Sequence, residues 1–344
     1  MPLSSPTLAL IARSSILRAI RPRAMSAAAA VSPSTREPIS PATTRIGWIG
    51  TGVMGRSMCG HLINAGYAVS IFTRTPSKAE PLLSLSSANP AVLSPSPADL
   101  AASCHVVFSI VGFPSDVRSV LLTGALPSLR PGSILVDMTT SDPSLAAEIA
   151  SAAFKKGCHS VDAPVSGGDL GARNATLSIF AGGDSAVVSH LSPLFALMGK
   201  VYYMGGPGNG QFAKLANQIT IATTMVGLVE GMLFAHKAGL EVPKFLDAIR
   251  GGAAGSRSLE LYGGRILKRD MEAGFFVEHF VKDLGICLKE CERMGLGLPG
   301  LALAQQLYLS LMAHGEGRLG TQALILAIER INNISLENTA PPSS

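Results

Sequence analysis

The sequence predicts an α/β N-terminal domain, a Rossmann-type doubly wound sheet over residues 45–207, followed by an all-α C-terminal domain over residues 208–334. Three observations carry this reading. From Arg45 onward, short apolar runs alternate with helical segments, the pattern of a parallel sheet covered on both faces. The first apolar run ends in Gly50-Thr51-Gly52-Val53-Met54-Gly55 and passes directly into a helical segment. After Gly206 no strand-like run remains, and the later segments all have helical period. At 344 residues, with 47% hydrophobic and 15% charged residues, the chain has ample core for two such domains.

Residues 1–44 precede the first strand and are rich in Ser, Ala, Pro and Arg. Residues 8–20 can form an amphipathic helix with arginines on one side, and no acidic residue occurs before Glu37. This composition predicts an organelle transit peptide, mitochondrial in preference to plastid. A disordered tail is the alternative, whereas a secretory signal would need a longer apolar run without arginine. Arg13, Arg18, Arg21, Arg23 and Arg36 equal the whole formal charge of +5, so the chain beyond them is neutral. No basic stripe is left for a nucleic acid.

Strands are expected over residues 45–50, 69–73, 106–110, 134–137, 160–162, 177–182 and 201–204. Between them lie helices over residues 54–65, 77–85, 97–102, 115–122, 143–156 and 184–198. The second domain is expected to use helices over residues 211–238, 242–249, 280–294, 299–313 and 320–331, with a disordered tail over residues 335–344.

In its strand-turn-helix context, GxGxxG reads as a dinucleotide site. The first glycine permits the tight turn, the second lets backbone approach a pyrophosphate, and the third lets helix pack on strand. The helix N-terminus then receives the phosphates. Gly50, Thr51, Gly52, Val53, Met54 and Gly55 are therefore cofactor candidates, joined by Val111 and Pro114 after the third long strand. An acidic residue ending the second strand would bind the ribose 2′-hydroxyl of NAD. Here Phe72-Thr73-Arg74-Thr75-Pro76-Ser77-Lys78 has none. Arg74 can face a 2′-phosphate, Thr73 and Thr75 offer hydroxyls, and Lys78 adds charge, which favours NADP over NAD. The plainer alternative is that Arg74 only solvates the strand end.

The run from Gly206 to Gln218 is a glycine-rich entry into a long apolar helix with no proline from Gln211 to Ala238. Such a helix is roughly 40 Å long. Lys214, Asn217 and Gln218 share one face by spacing. An ammonium beside two amides there can bind and protonate a developing oxyanion; the alternative is a lysine that snorkels to the surface. The longest run free of charge and amide, residues 219–229, has eleven residues, short of the roughly 18 that span a membrane. The helix is therefore expected between domains or subunits, in a homodimer or homotetramer. Cys59, Cys104, Cys158, Cys287 and Cys291 form no CxxC, and the seven histidines form no HxH or HExxH. Reduced thiols and a metal-free mechanism are expected.

Asp162-Ala163-Pro164-Val165-Ser166-Gly167-Gly168 can offer adjacent backbone N–H groups and a hydroxyl to a carboxylate, or can simply be a loop. Taken in order, GWIGTGVMG, VDMTTSDP, DAPVSGGDLGA, GNGQFAKLANQ and FVEHFVKDLG resemble the β-hydroxyacid dehydrogenase family, over residues 45 to 333. That family includes 3-hydroxyisobutyrate dehydrogenase, tartronate semialdehyde reductase and glyoxylate/succinic semialdehyde reductase. The resemblance implies that Lys214 is the catalytic lysine and that Ser166, Gly167 and Gly168 hold the substrate carboxylate. It places Thr140 at the nicotinamide end, Lys282 and Asp283 on the cofactor, and Phe275 in the active-site lining. Two positions depart from the family pattern. Gln218 stands where many members have asparagine, with Asn217 one earlier, and Ala175 stands where glycine is common.

The expected reaction is reversible hydride transfer between the nicotinamide and the carbonyl carbon of a short aldehyde acid. Lys214 donates a proton as hydride arrives and accepts it in reverse, while Asn217 and Gln218 orient the lysine and the substrate oxygen. A lysine with an ordinary pKa near 10.4 is a poor base, so the cleft must lower it. Three functions compete: a hydroxyacid dehydrogenase of valine breakdown, an NADPH-dependent glyoxylate or succinic semialdehyde reductase, and a non-catalytic dinucleotide-binding scaffold. The joint presence of Lys214, Ser166 and Gly167 argues against the scaffold.

Overall fold

The structure is a computed structural model that describes residues 37–85 and 89–336. The expected transit segment, up to residue 36, and residues 337–344 lie outside the described residues. The strands are β1 (Arg45–Ile49), β2 (Ala68–Phe72), β3 (Val92–Leu93), β4 (Val106–Ser109), β5 (Ile134–Asp137), β6 (His159–Asp162), β7 (Val165–Ser166), β8 (Leu177–Gly182) and β9 (Gly199–Gly205). The helices of the first domain are α1 (Val53–Asn64), α2 (Glu80–Leu83), α3 (Pro97–Ser103), α4 (Pro114–Val117), α5 (Pro143–Lys155), α6 (Gly168–Arg173), α7 (Ser185–His190) and α8 (Ser192–Phe195). The second domain contains α9 (Asn209–Lys237), α10 (Val242–Arg250), α11 (Gly264–Leu267), α12 (Val277–Met294), α13 (Pro299–Ala313) and α14 (Leu324–Asn332).

Strands run in the order β3-β2-β1-β4-β5-β6, all parallel, and the order reverses between β1 and β4. A crevice at such a reversal, outside the carboxyl ends of the strands, is where open α/β sheets bind ligands. Every residue of β4 and β5 is buried, as expected of strands covered on both faces. Trp48 stacks on Phe108 with ring centroids 5.5 Å apart and donates its indole N–H to the Gly50 carbonyl at 2.8 Å.

The far end of the sheet differs from the all-parallel expectation. β8 is antiparallel to both β6 and β7 and parallel to β9. The expected helix over residues 77–85 is broken into the turn Pro76–Lys78 and α2, with Pro81 near the start of α2. The one over residues 184–198 divides into α7 and α8, with Pro193 in the first turn of α8. A proline fits only the first turn of a helix, so each marks a new start. The segment expected as a helix over residues 115–122 is α4 followed by a wider π-type turn, Arg118–Ala125.

Residues 37–44 belong to the fold and not to the leader to which composition assigned them. Ile39 packs against the first-domain core and Thr44 is buried. At the other end Leu336, inside the expected tail, is buried and donates its backbone N–H to Glu329 Oε1 at 2.9 Å, so it belongs to the fold. Ala175 adopts a left-handed φ of 54°, the conformation that explains why glycine suits this position and that costs an alanine about 1 kcal/mol.

Helix α9 is long and apolar enough to cross a membrane by length and composition alone. The sequence expectation of no such stretch is therefore corrected by length and composition. Its packing is that of a core helix: it touches α10, α12, α13 and α14 on one side and β8, β9 and α5 on the other. This placement seats the start of α9 between the two domains.

Candidate active site

The cofactor loop has the geometry its glycines predict. Gly50 has a φ of 101°, and a Cβ there would lie 2.2 Å from the Ile110 carbonyl. A Cβ on Gly55 would lie 2.2 Å from the Gly50 carbonyl, so only glycine lets α1 sit this close to β1. Gly52 faces open space, is the N-cap of α1 without a side-chain cap, and is followed by a first turn without acid. Backbone N–H groups are thus left for an anion. These residues fit a dinucleotide pyrophosphate. Thr51 Oγ1 donates to Thr73 Oγ1 at 2.8 Å, tying this loop to the end of β2. Arg74 is exposed there and pairs with Asp116 at 3.1 Å. Thr75 donates its N–H to Thr73 Oγ1 at 3.4 Å, whereas Lys78 is exposed and, among the described residues, has no contact that draws it toward the loop.

The remaining expected site residues meet at the junction of the domains. Ser166 Oγ donates to Asn217 Oδ1 at 3.1 Å. Asn217 Nδ2 donates to Gln218 Oε1 at 2.9 Å, and Gln218 Nε2 donates to Asp283 Oδ2 at 2.6 Å. Lys282 pairs with Asp283 Oδ1 at 2.8 Å and donates to the Thr140 carbonyl at 2.6 Å. One polar chain therefore links the loop at Ser166, α9, α12 and the loop after β5. Gly167 and Gly168, with φ of 134° and 64°, turn the chain directly after Ser166. Phe275 packs between His279 and Phe280, at 6.4 and 5.8 Å between centroids. A Cβ on the preceding Gly274 would lie 2.8 Å from Asp169 Oδ1, so this aromatic turn abuts the segment that follows Ser166.

Lys214 is 7% exposed, which rules out the snorkelling alternative. Burial pushes its pKa down to about 8, against the upward pull of Asp283 and with a further downward push from Lys282. Among the described residues nothing hydrogen-bonds its ammonium. Asn217 and Gln218, expected to orient the lysine and the substrate oxygen, engage Ser166, each other and Asp283 in this structure. The reason is reach: Gln218 is long enough to meet a carboxylate on α12.

Sequence reasoning missed several residues that build this junction. Asp162, at the end of β6, accepts the N–H of Gly208 at 2.8 Å and of Gln211 at 2.9 Å, capping the start of α9. Burial pushes it up to about 7, and Asp137 beside it adds to the rise. Asp137, pushed up to about 6 by burial, accepts from Ser109 Oγ at 2.9 Å and from the Thr139 N–H at 3.1 Å. Gln211 also bonds the loop after β5. Acids ending adjacent strands, and an amide one turn before the lysine, were the available signals. All five cysteines are buried and free, and among the described residues no cluster suits a metal ion.

Residues 45–206 match the family described as the NAD binding domain of 6-phosphogluconate dehydrogenase. Residues 208–328 match that described as the NAD-binding region of NADP-dependent 3-hydroxyisobutyrate dehydrogenase. The chain is 68% identical over 304 residues to "Probable 3-hydroxyisobutyrate dehydrogenase-like 1, mitochondrial" of Arabidopsis thaliana, covering 88% of this chain and 90% of the relative. It is 37% identical to 2-hydroxy-3-oxopropionate reductase of Escherichia coli, covering 85% and 99% respectively. The solved structure of 3-hydroxyisobutyrate dehydrogenase of Mycobacterium tuberculosis, with L-serine, superposes with a TM-score of 0.75 at 27% identity, covering 83% of this chain and 99% of that one. The chain belongs to the β-hydroxyacid dehydrogenase family and is an NAD(P)-dependent oxidoreductase of the 3-hydroxyisobutyrate dehydrogenase type.

Proposed function

We propose that this oxidoreductase moves a hydride between NAD(P) and a short 3-hydroxy acid or its aldehyde acid, with Lys214 as general acid and base. The observation that carries the reading is Lys214 itself, buried with a pKa of about 8 beside the Ser166–Asn217–Gln218–Asp283 chain. The bound dinucleotide supplies or takes up the hydride. Ser166 Oγ and the turn at Gly167 and Gly168 bind the carboxylate, Ser166 giving up its bond to Asn217. Phe275 closes the apolar side of the cleft. Lys214, as ammonium, places its proton on the carbonyl oxygen as that oxygen gains charge, and as amine takes it from the hydroxyl in reverse.

Initial rates with NADPH and NADH against methylmalonate semialdehyde, succinic semialdehyde and glyoxylate, and in reverse with 3-hydroxyisobutyrate, test this. Turnover with none of them, despite cofactor binding, would sink it. The second reading, a glyoxylate or succinic semialdehyde reductase, is favoured by Arg74 and the absence of acid at the end of β2. Arg74→Ser is expected to weaken NADPH binding about 10- to 100-fold and leave NADH nearly unchanged, the effect of removing one charged hydrogen-bond partner. Equal losses for both cofactors would remove Arg74 from the 2′-phosphate site.

The leader is assigned to mitochondria. Its support is the Arg-rich, acid-free composition of residues 1–36 and the mitochondrial label on the Arabidopsis relative. A fluorescent reporter carrying residues 1–36 is expected in mitochondria of plant cells; import into plastids instead would overturn the assignment.

A further inference from the structure

One buried amide spans the junction without any assigned part in the reaction. Gln211 is 0% exposed and lies in the first turn of α9, one turn before Lys214. Its Oε1 accepts the Ser141 N–H at 2.8 Å, and its Nε2 donates to the Thr139 carbonyl at 2.8 Å. This pairing with the carbonyl of one residue and the N–H of the second residue on is what a neighbouring strand would make. The side chain thus extends the ladder of β5 across to the helix. The same loop is held on its other side, where Thr139 Oγ1 accepts the Val111 N–H at 3.0 Å. Asp162 fixes the end of α9 at Gly208 and Gln211, but these bonds reach only the backbone at the very start of the helix. The Gln211 carboxamide adds a second point of attachment on the helix face that carries Lys214.

We propose that Gln211 is a positioning residue that sets Lys214 in register with residues 139–141, and through them with the nicotinamide end of the cofactor. The inference rests on the reading of Lys214 as proton donor and Thr140 as nicotinamide neighbour. Both polar ends of Gln211 bond backbone and the side chain is fully buried, so it is placed to hold the loop and not to bind substrate. Its effect on turnover is therefore geometric: a misplacement of about 1 Å at the reacting atoms costs on the order of 100-fold.

The test is Gln211→Met in the full chain, which keeps the length and removes both hydrogen bonds. The kcat is expected to fall about 100-fold, while NADPH affinity, read by fluorescence titration, changes no more than about threefold. The deuterium isotope effect on kcat with 4-deuterated NADPH is expected to rise, because hydride transfer becomes slower than product release. Partial unfolding would lower the apparent kcat and leave the isotope effect where it was. A kcat within about threefold of the parent, with an unchanged isotope effect, overturns the proposal.

Should the methionine variant not fold, Gln211→Glu keeps the volume. As a neutral carboxyl it again donates to Thr139 O and accepts from Ser141, and as a carboxylate it opposes the Thr139 carbonyl. Burial and the neighbouring Asp162 and Asp137 raise the pKa of such a group, and Lys214 one turn on opposes that rise. Its activity relative to the parent is expected to recover as pH falls; superimposable pH profiles overturn the proposal. Lys214→Met separates the two ideas. Turnover surviving in that variant overturns the reading of Lys214 and this inference with it. Turnover lost there but intact in Gln211→Met overturns the positioning role alone.

Discussion

Lys214→Met is expected to reduce kcat in both directions by about a thousandfold while cofactor affinity holds and the thermal midpoint rises. The first effect follows from removing general acid–base catalysis, which contributes roughly 10²–10⁴ in rate. The second follows because methionine matches the length of the lysine stem and, among the described residues, no side chain hydrogen-bonds the ammonium. The third follows from the burial that lowers Lys214 from 10.5 to about 8. At pH 7 the ammonium is held in a site that disfavours it by about 3 kcal/mol relative to the unfolded chain. The variant does not carry that penalty. Unchanged turnover with any substrate of the panel would sink the role of Lys214.

The same shift fixes the pH dependence. Reduction needs the ammonium, so its rate falls as pH rises through about 8; oxidation needs the amine, so its rate climbs through the same point. Stability moves in a separate window. Between about 8 and 10.5 the unfolded chain keeps a proton that the folded chain has released, so stability increases with pH there. In Lys214→Met this rise is expected to be missing from a series of denaturant melts. Reduction and oxidation limbs that both fell above pH 8 would point to a different titrating group.

The contrast between Lys214 and its neighbours shows how far the sequence reaches. GxGxxG after an apolar strand defines a local turn, and Gly50 and Gly55 occupy the positions where a Cβ would strike backbone. Helical spacing likewise places Lys214, Asn217 and Gln218 on one face. Spacing does not say which way an amide turns, nor that the partner of Gln218 is Asp283, 65 residues away. Two residues of β7 are too few for an alternation pattern, so the switch to antiparallel pairing with β8 left no local signal. The packed segment at residues 37–44 was hidden in the opposite manner: its composition merges with that of the leader, and only Ile39 touches the core. Asp162 and Gln211 escaped notice because their role is to bond backbone, which any sequence offers everywhere.

Gly210→Ala is expected to destabilise the fold by about 3 kcal/mol or more, beyond the usual cost of overpacking, and to lower kcat by about 100-fold in whatever remains folded. A Cβ on Gly210 would lie 2.3 Å from the Phe180 carbonyl, 2.5 Å from the Asp162 carbonyl and 2.8 Å from Asp162 Oδ2. Two of these are backbone oxygens of β8 and β6, so no side-chain rotation relieves the clash. Gly182 meets the same surface from the sheet, where an added Cβ would lie 2.6 Å from the Gly210 nitrogen. The helix start must therefore lift from the sheet, which breaks the caps from Asp162 and moves Lys214, one turn farther on. Gly227 provides the control. It is exposed in the interior of the same helix with no atom within 4 Å of its added Cβ, and Gly227→Ala is expected to stabilise by roughly 0.5–1 kcal/mol through helix propensity alone. Chemical denaturation of both variants reads the difference. A Gly210→Ala protein as stable as Gly227→Ala would mean that α9 does not rest on the sheet edge, and that the register of its lysine is set elsewhere.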